Sequence, residues 1–415
     1  MQHGHADKKD ALHLIVNNPL GQHVLEVIKT AGGEARFVGG IVRDALAGIA
    51  PQDWPDIDMA MTLTPDVAMQ ALKKNGLKVL PTGIDHGTIT VFDKKDHRQK
   101  IELTTLRADQ DTDGRHAEVI FTEDWAGDAA RRDFTINAIY LDANGMIFDP
   151  CHGCDDLAHG ILRFIGNAED RIEEDYLRIL RFFRFHARFA KTEPDQETMA
   201  AIAKFAPKLD QISGERQAME LARLLPMGLS SGLSAMIATG VDRVLTPSGF
   251  NKDAMAVLSK LAQSVSIAML PLAACYAILV DRDELPFLLE RLRLSQKLQR
   301  QITYMAEPIK DAAGLASDAW QTHAWGAKPH DGADRTDLVW RYATAQAKAG
   351  QMITHDHFYR LLEWQAPQLP IKGQDLLDHG ISQGPSLGAQ LKILEDAWVD
   401  SGFSLTRDDL LARLG

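Results

Sequence analysis

Phe37-Val38-Gly39-Gly40-Ile41-Val42-Arg43-Asp44 passes from β-forming residues through two glycines directly into a helical pattern. A strand that ends in this way presents backbone N–H groups and the positive end of a helix dipole at one point. Glycine leaves room for a phosphate to approach the backbone closely. Arg43 falls in the first helical turn, where a guanidinium can fork onto phosphate oxygens. The same eight residues also suit a plain strand–turn–helix joint with a surface arginine, so the neighbouring sequence has to decide.

The next signal is Asp56-Ile57-Asp58. Alternate residues of a strand share a face, so both carboxylates point the same way. Two hard oxygen ligands suit Mg²⁺, and a pair of such ions roughly 3.5–4 Å apart activates an attacking hydroxyl and stabilises leaving pyrophosphate. Taken alone, the pair is equally an acidic strand edge. Glu102, in Ile101-Glu102-Leu103-Thr104, is the candidate third carboxylate, or else an exposed strand residue. Arg131 and Arg132 stand side by side before an apolar run. Adjacent guanidiniums need carboxylate partners or a phosphate, and Asp133 is placed to hold one of them. Farther on, Glu174-Asp175-Tyr176-Leu177-Arg178-Ile179-Leu180-Arg181-Phe182-Phe183-Arg184-Phe185 reads as helix. Arg178, Arg181, Arg184 and Arg188 fall within an arc of about 120°, and Asp175 precedes Arg178 by three residues and lies beside it. Ile179, Leu180, Phe183 and Ala187 occupy the core face. A carboxylate acceptor next to a guanidinium donor can address the hydrogen-bonding edges of bases; a solvated polar stripe is the other reading.

Around these signals, strands are expected at Ala35–Val38, 57–60, Thr88–Phe92 and 100–104, by alternation and β-branched content. Residues 136–141 and 146–148 form a hairpin across Asp142-Ala143-Asn144-Gly145. Helices are expected at 22–30, 42–47 and 65–75, which gives an α+β domain with a small mixed sheet. From about Leu157 the pattern is helical: one long helix over 170–189, then Gln196–Phe205 and 214–225, then helices on short loops to the end. Residues 328–335, with Pro and Gly, read as a flexible loop.

Of the 415 residues, 45% are hydrophobic and 25% charged, which excludes a mainly disordered chain, a collagen and a disulfide-stapled miniprotein. The net charge of −12 argues against a nonspecific nucleic-acid coat but leaves room for a local basic groove, because phosphates respond to local charge. Three cysteines make no disulfide framework and point to a reducing, cytoplasmic setting. The first residues lack the pattern of a signal peptide. The longest apolar stretch, 266–280, contains Pro271 and is shorter than the about 20 residues a bilayer requires. It is expected to be a buried helix, so no membrane role is expected; no protein partner is evident from the sequence.

In order and spacing, GGIVRD, DIDMA, IELTTLR, RRDFTINA, FDPxxG followed by DDL, and EDYLRILRFFRF resemble the class II tRNA nucleotidyltransferase and bacterial poly(A) polymerase family. The resemblance covers roughly residues 37–225; Gly373-Gln374-Asp375-Leu376-Leu377 with Gly384-Pro385-Ser386-Leu387-Gly388 is similar to the tail segment of the CCA-adding members. It implies a polymerase-β-like head (1–156), followed by an all-α neck (157–226), body (227–310) and tail (311–415). It also implies Mg²⁺ at Asp56 and Asp58, nucleotide phosphates at Gly40 and Arg43, and a nucleotide contact at Arg132 with Arg131 close by. Asp175 and Arg178 would form a protein template for CTP and then ATP, with Arg181 and Arg184 contributing to nucleotide binding. Glu215-Arg216 would brace the neck, and residues 109–118 would be a loop that assists the switch from C to A. The implied partners are CTP, ATP and the 3′ end of tRNA, with its acceptor stem and elbow along the helical domains.

Two features depart from the family. Its aromatic-Gly-Gly after Asp149-Pro150 is here Cys151-His152-Gly153, and Cys151 and Cys154 form a Cys-x-x-Cys without the second pair that a zinc site needs. His330-Asp331 and His355-Asp356 lack the supporting histidines of a metal-dependent phosphohydrolase and read as surface or capping residues. The expected activity is template-independent addition of CCA to tRNA. A poly(A) polymerase, a CC-only enzyme and a noncatalytic RNA-binding protein are the rival readings.

Overall fold

Nine short strands occur among the described residues, and seven of them form one sheet in the order β3-β4-β5-β2-β1-β8-β9. They are β1 (Ala35–Val38), β2 (Ile57–Met61), β3 (Lys78–Gly83), β4 (Thr88–Phe92), β5 (Lys100–Thr105), β6 (Arg107–Ala108), β7 (Ile120–Phe121), β8 (Tyr140–Leu141) and β9 (Ile147–Phe148); β6 and β7 pair separately. The computed structural model describes residues 8–54, 56–93, 96, 99–108, 120–227, 231–254, 256, 270–309, 335–349, 354–365 and 367–414. Within the large sheet β2 and β5 run parallel and their other neighbours antiparallel, the mixed sheet expected.

Strand alternation fixes the two faces. Ile101, Leu103 and Thr105 of β5 are buried, whereas Lys100, Glu102 and Thr104 are only partly covered. Met59, Met61, Ile89, Val91, Ile101 and Leu103 pack in one core with Val24, Leu25 and Ile28 of α2 (Pro19–Thr30). That core also takes Ile15 from α1 (Lys8–Val16), Val42 from α3 (Gly40–Leu46), and Ala68 and Leu72 from α4 (Pro65–Lys74). The opposite face is only partly covered, by a smaller cluster of Val38, Ala60, Trp125, Ala129 and Tyr140. Trp125 and Ala129 come from α5 (Trp125–Ala130). Beyond this cluster the face is polar: Thr88 and Thr104 share a 2.9 Å hydrogen bond, and Thr82 and Thr90 one of 2.7 Å.

The expected hairpin is present but shorter, Tyr140–Leu141 against Ile147–Phe148, because Thr135–Asn137 turns into a 3₁₀ helix first. The expected helix over 170–189 is two helices, α7 (Ala168–Glu174) and α8 (Arg178–Phe189), after α6 (Gly153–His159). The break has a local cause. Asp175 adopts an extended backbone, φ −153° and ψ 104°, and its Oδ1 accepts from the Leu177 N–H at 3.1 Å. A side chain that bonds its own backbone in this way competes with helix continuation. Helix α9 (Gln196–Phe205) forms as expected, with Asp195 as its N-cap.

The chain divides into two units: Met1–Ile212 with Ser234–Thr239, and Ser213–Leu233 with Gly240–Gly415. The described part of the second unit is helical. It opens on α10 (Gly214–Leu224), capped by Ser213, and includes the buried helix Leu272–Leu279. Toward the C-terminus, Ile371, Leu376, Leu394, Trp398, Leu410 and Leu411 form a core of their own. Among the described residues no helix is long and apolar enough to cross a membrane.

Candidate functional site

The parallel register of β2 and β5 sets Asp58 directly opposite Glu102. Both side chains, with that of Asp56, fall on the partly open polar face. Burial, followed by the Glu102 charge and then that of Asp56, pushes the Asp58 carboxyl up to about 6, against the pull of Arg132 and Arg43. Lys100 joins the same row: its Nζ lies 2.7 Å from Asp56 Oδ2 and 4.0 Å from Glu102 Oε1. Among the described residues no three metal-ligating side chains already converge on one point. The donor set nonetheless fits a hard divalent cation: carboxylate oxygens on adjacent strands, mutually repelling, with a cationic group already drawn among them.

Gly39 has φ 72° and ψ −127°, a backbone that residues with a Cβ rarely adopt. A Cβ on it would reach ordinary van der Waals contact with the Asn137 carbonyl oxygen, at 3.9 Å. A Cβ there would have Arg132 Nη1 as a neighbour at 4.0 Å, so the glycine turn and Arg132 face each other. Asp128 of α5 holds both arginines: Arg131 through Nε at 2.9 Å and also through Nη2, Arg132 through Nη2 at 3.0 Å. Tyr140 donates to the same carboxylate at 2.8 Å and accepts from Arg132 Nε at 3.0 Å. Burial pushes Asp128 up, but the two guanidiniums and Tyr140 outweigh it and hold the group below the usual carboxylate range. Asp128 was not singled out from the sequence, although it precedes the arginines by three and four residues, the spacing at which helical side chains meet.

Asp133, expected to pair with one of these arginines, instead receives Arg181 from α8 at 2.6 Å and Asn137 at 2.9 Å. Arg43 also has partners of its own. Its guanidinium is buried, bonded to Asp44 at 2.6 and 2.8 Å and to Asn137, with Phe185 and Phe189 on its faces. These contacts engage Nε, Nη1 and Nη2 once each.

The arginine stripe of α8 is neither bare nor simply solvated. Arg178 Nη1 bonds Glu174 and the Arg171 carbonyl (2.8 Å), and Nη2 reaches the Arg131 carbonyl at 3.3 Å. Arg184 is buried with its guanidinium 4.2 Å over Phe185, and Arg188 bonds Asp44 at 2.9 Å. Phe182 stacks on Phe164 at 5.6 Å, and Phe134 packs against Phe164, Phe182 and Phe185. Ile179, Leu180 and Phe183 are buried as expected, and Ala187 is half-buried. Asp175 and Arg178 are neighbours across a turn rather than on one helical face, with Asp175 just outside α8.

Cys151 and Cys154 pack against different clusters, on opposite sides of the sheet, and all three cysteines are free. Between them His152 takes a left-handed φ of 59°, where the family's glycine would be unstrained. Gly153 is retained for a steric reason: a Cβ there would lie 2.1 Å from the Thr135 carbonyl oxygen. Glu215 pairs with Arg293 at 3.3 Å within the second unit. His355 and Asp356 are exposed on the first turn of a helix capped by Thr354, as read. The loop 109–118, residues 328–334 and His330-Asp331 lie outside the described residues.

Residues 35–163 match the Poly A polymerase head domain, and residues 193–250 the probable RNA and SrmB-binding site of polymerase A. The mitochondrial CCA tRNA nucleotidyltransferase 1 of Mus musculus is 35% identical over 93% of this chain and 88% of its own length. A CCA-adding enzyme of Streptococcus sanguinis is 32% identical over 91% and 92%. Among solved structures, the Bacillus stearothermophilus CCA-adding enzyme in complex with CTP superposes with a TM-score of 0.68 at 26% identity, covering 96% of this chain and 97% of that one. The Thermotoga maritima enzyme, at 19% identity and a TM-score of 0.69 over 99% of each chain, shares the fold.

Proposed function

The chain belongs to the family of CCA-adding tRNA nucleotidyltransferases, and we propose that it adds C, C and A to the 3′ end of tRNA from CTP and ATP without a nucleic-acid template. The observation that carries the reading is the row of carboxylates, Asp56 and Asp58 opposite Glu102, on the same sheet as the Gly39-Gly40 turn that Arg132 faces. In the reaction the tRNA 3′-hydroxyl attacks the α-phosphorus of the nucleotide, the bond to the β-phosphate oxygen breaks, and pyrophosphate leaves. Asp56 and Asp58, with Glu102 beside them, would hold Mg²⁺, which would supply charge neutralisation on the triphosphate and make the attacking hydroxyl more acidic.

The rest of the work falls to the chain's own groups. Gly40 and its turn give the triphosphate a close approach to the backbone. Arg132, fixed by Asp128 and Tyr140, offers a guanidinium whose direction is set before the nucleotide arrives, which favours electrostatic stabilisation. Arg43 acts one step back, by holding Asp44, Asn137 and the base of α3 in place. Asp175 and Arg178 select the base through its hydrogen-bonding edge, since a mismatched base leaves polar groups unsatisfied at about 1–3 kcal/mol each. Arg181 and Arg184 contribute to nucleotide binding by fixing α8 and adding positive potential. The division into head 1–156, neck 157–226, body 227–310 and tail 311–415 belongs to this proposal, as does a cytoplasmic setting, which suits three free cysteines.

The test is primer extension with purified protein, Mg²⁺ and tRNA ending at the discriminator base. CTP alone should add two residues, and CTP with ATP three. A long ladder with ATP alone would make the protein a poly(A) polymerase. A stop at two with both nucleotides would make it a CC-adding enzyme.

A further inference from the structure

The carboxylate row contains a fourth residue to which the proposed function gives no part. Lys100 and Glu102 alternate along β5 and so share a face, and the β2–β5 register sets them beside Asp56 and Asp58. The Lys100 ammonium lies 2.7 Å from Asp56 Oδ2 and 4.0 Å from Glu102 Oε1. It therefore stands between an oxygen of Asp56, which the proposed function gives to a divalent cation, and one of Glu102 beside it.

We propose that Lys100 is a built-in counter-ion of this site: it gathers Asp56 and Glu102 in the metal-free protein and is displaced when the divalent cation binds, so it sets how tightly the cation is held. The physical argument is one of competition. Clustered carboxylates repel, and an ammonium among them relieves that repulsion without any free ion. An entering cation must break the Lys100–Asp56 pair, so its apparent affinity is reduced by the strength of that pair. For partly exposed partners this corresponds to roughly two- to fivefold. Lys100 is thus a positioning residue. The inference rests on the reading of Asp56 and Asp58 as metal ligands.

Lys78 provides the control. It opens β3 and shares a cross-strand row with Phe92 and Lys100, but its ammonium lies over the Phe92 ring at 5.6 Å. The full-length protein, free of nucleotide and tRNA, is titrated with Mn²⁺, and the free ion is read by electron paramagnetic resonance. Lys100→Met should bind Mn²⁺ about two- to fivefold more tightly than wild type. Lys100→Arg, which keeps a cation in reach, and Lys78→Met should stay at the wild-type value. A gain in affinity is an outcome that misfolding does not produce. Unchanged or weaker binding by Lys100→Met overturns the inference, and so does an equal gain from Lys78→Met, which would make the effect one of diffuse charge. If Asp56→Ala binds Mn²⁺ as tightly as wild type, the ligand assignment fails, and the role of Lys100 with it.

Discussion

Asp58 carries a costly charge. Burial and the facing Glu102 raise its carboxyl to about 6, above the ordinary value of about 3.9. Between these values the folded protein binds more protons than the unfolded chain, so stability falls as pH rises across that window. The contribution is fully present below about pH 4 and lost above about pH 6. Asp58→Asn removes the charge for good. In chelator at pH 8 it should melt higher than wild type, by at most about 3 kcal/mol, and the difference should vanish near pH 4; thermal melts at the two pH values check this. The same variant should lose nucleotidyl transfer. Asp175 separates structure from selection in another way. Asp175→Asn keeps an oxygen to accept from the Leu177 N–H but turns the other oxygen into a donor. Stability should change by less than about 1 kcal/mol while discrimination among CTP, ATP, GTP and UTP collapses; unchanged nucleotide choice would remove the template assignment. The acidic pair at Asp56 and Asp58 was legible because side-chain period in a strand is fixed. Asp128 was equally present in the sequence but lies in Ala126-Gly127-Asp128-Ala129, where nothing but its spacing to Arg131 and Arg132 marks it.

At the scale of elements, α8 is the strut of the site. Its arginines end on carboxylates of the first unit, Arg181 on Asp133 and Arg188 on Asp44, while its phenylalanines pack on Phe134 and Phe164. Burial raises Asp133, but Arg181, Asn137 and the Phe134 N–H outweigh it and hold the group below the usual range. Its contribution is therefore present above about pH 4 and lost as pH falls through the depressed folded value. Arg181→Met leaves that buried carboxylate without its cation and should cost about 3 kcal/mol at pH 7. Adding Asp133→Asn, which keeps the oxygen facing Asn137 and the Phe134 N–H, should recover most of the loss in urea titrations. Additive losses would show that the pair is not coupled. The stripe itself could be read from helical spacing; its partners could not, because they lie 48 and 144 residues away in sequence. The break before α8 was hidden for the opposite reason, since apolar periodicity runs unbroken through 170–189 and only the Asp175 side chain interrupts it. Strand β3 was missed because its exposed edge, which contains Pro81, shows almost no alternation.

At the scale of the whole molecule the net charge of −12 has to be reconciled with a polyanionic substrate. Long-range attraction cannot come from the total, so it has to come from local clusters of Lys and Arg that meet phosphates at short distance. The sequence motifs thin out after residue 225, and helical packing beyond that point is built from apolar spacing that is silent about RNA. The identities of the contacting residues were therefore not legible, although their thermodynamic signature follows from charge alone. Each phosphate neutralised releases counter-ions and contributes about −0.7 to −0.9 to the slope of log K against log salt. For three contacts, raising monovalent salt from 50 to 200 mM should weaken tRNA binding about 30-fold. Contacts to the nucleotide triphosphate are fewer and less exposed, and are screened less, so KM for CTP should rise far less over the same range. Fluorescence anisotropy of labelled tRNA, run beside initial rates at saturating tRNA, tests both halves of this prediction. A salt-insensitive tRNA complex would mean that the acceptor stem is held by shape and stacking rather than by phosphate contacts, and the idea of a local basic groove would have to be abandoned.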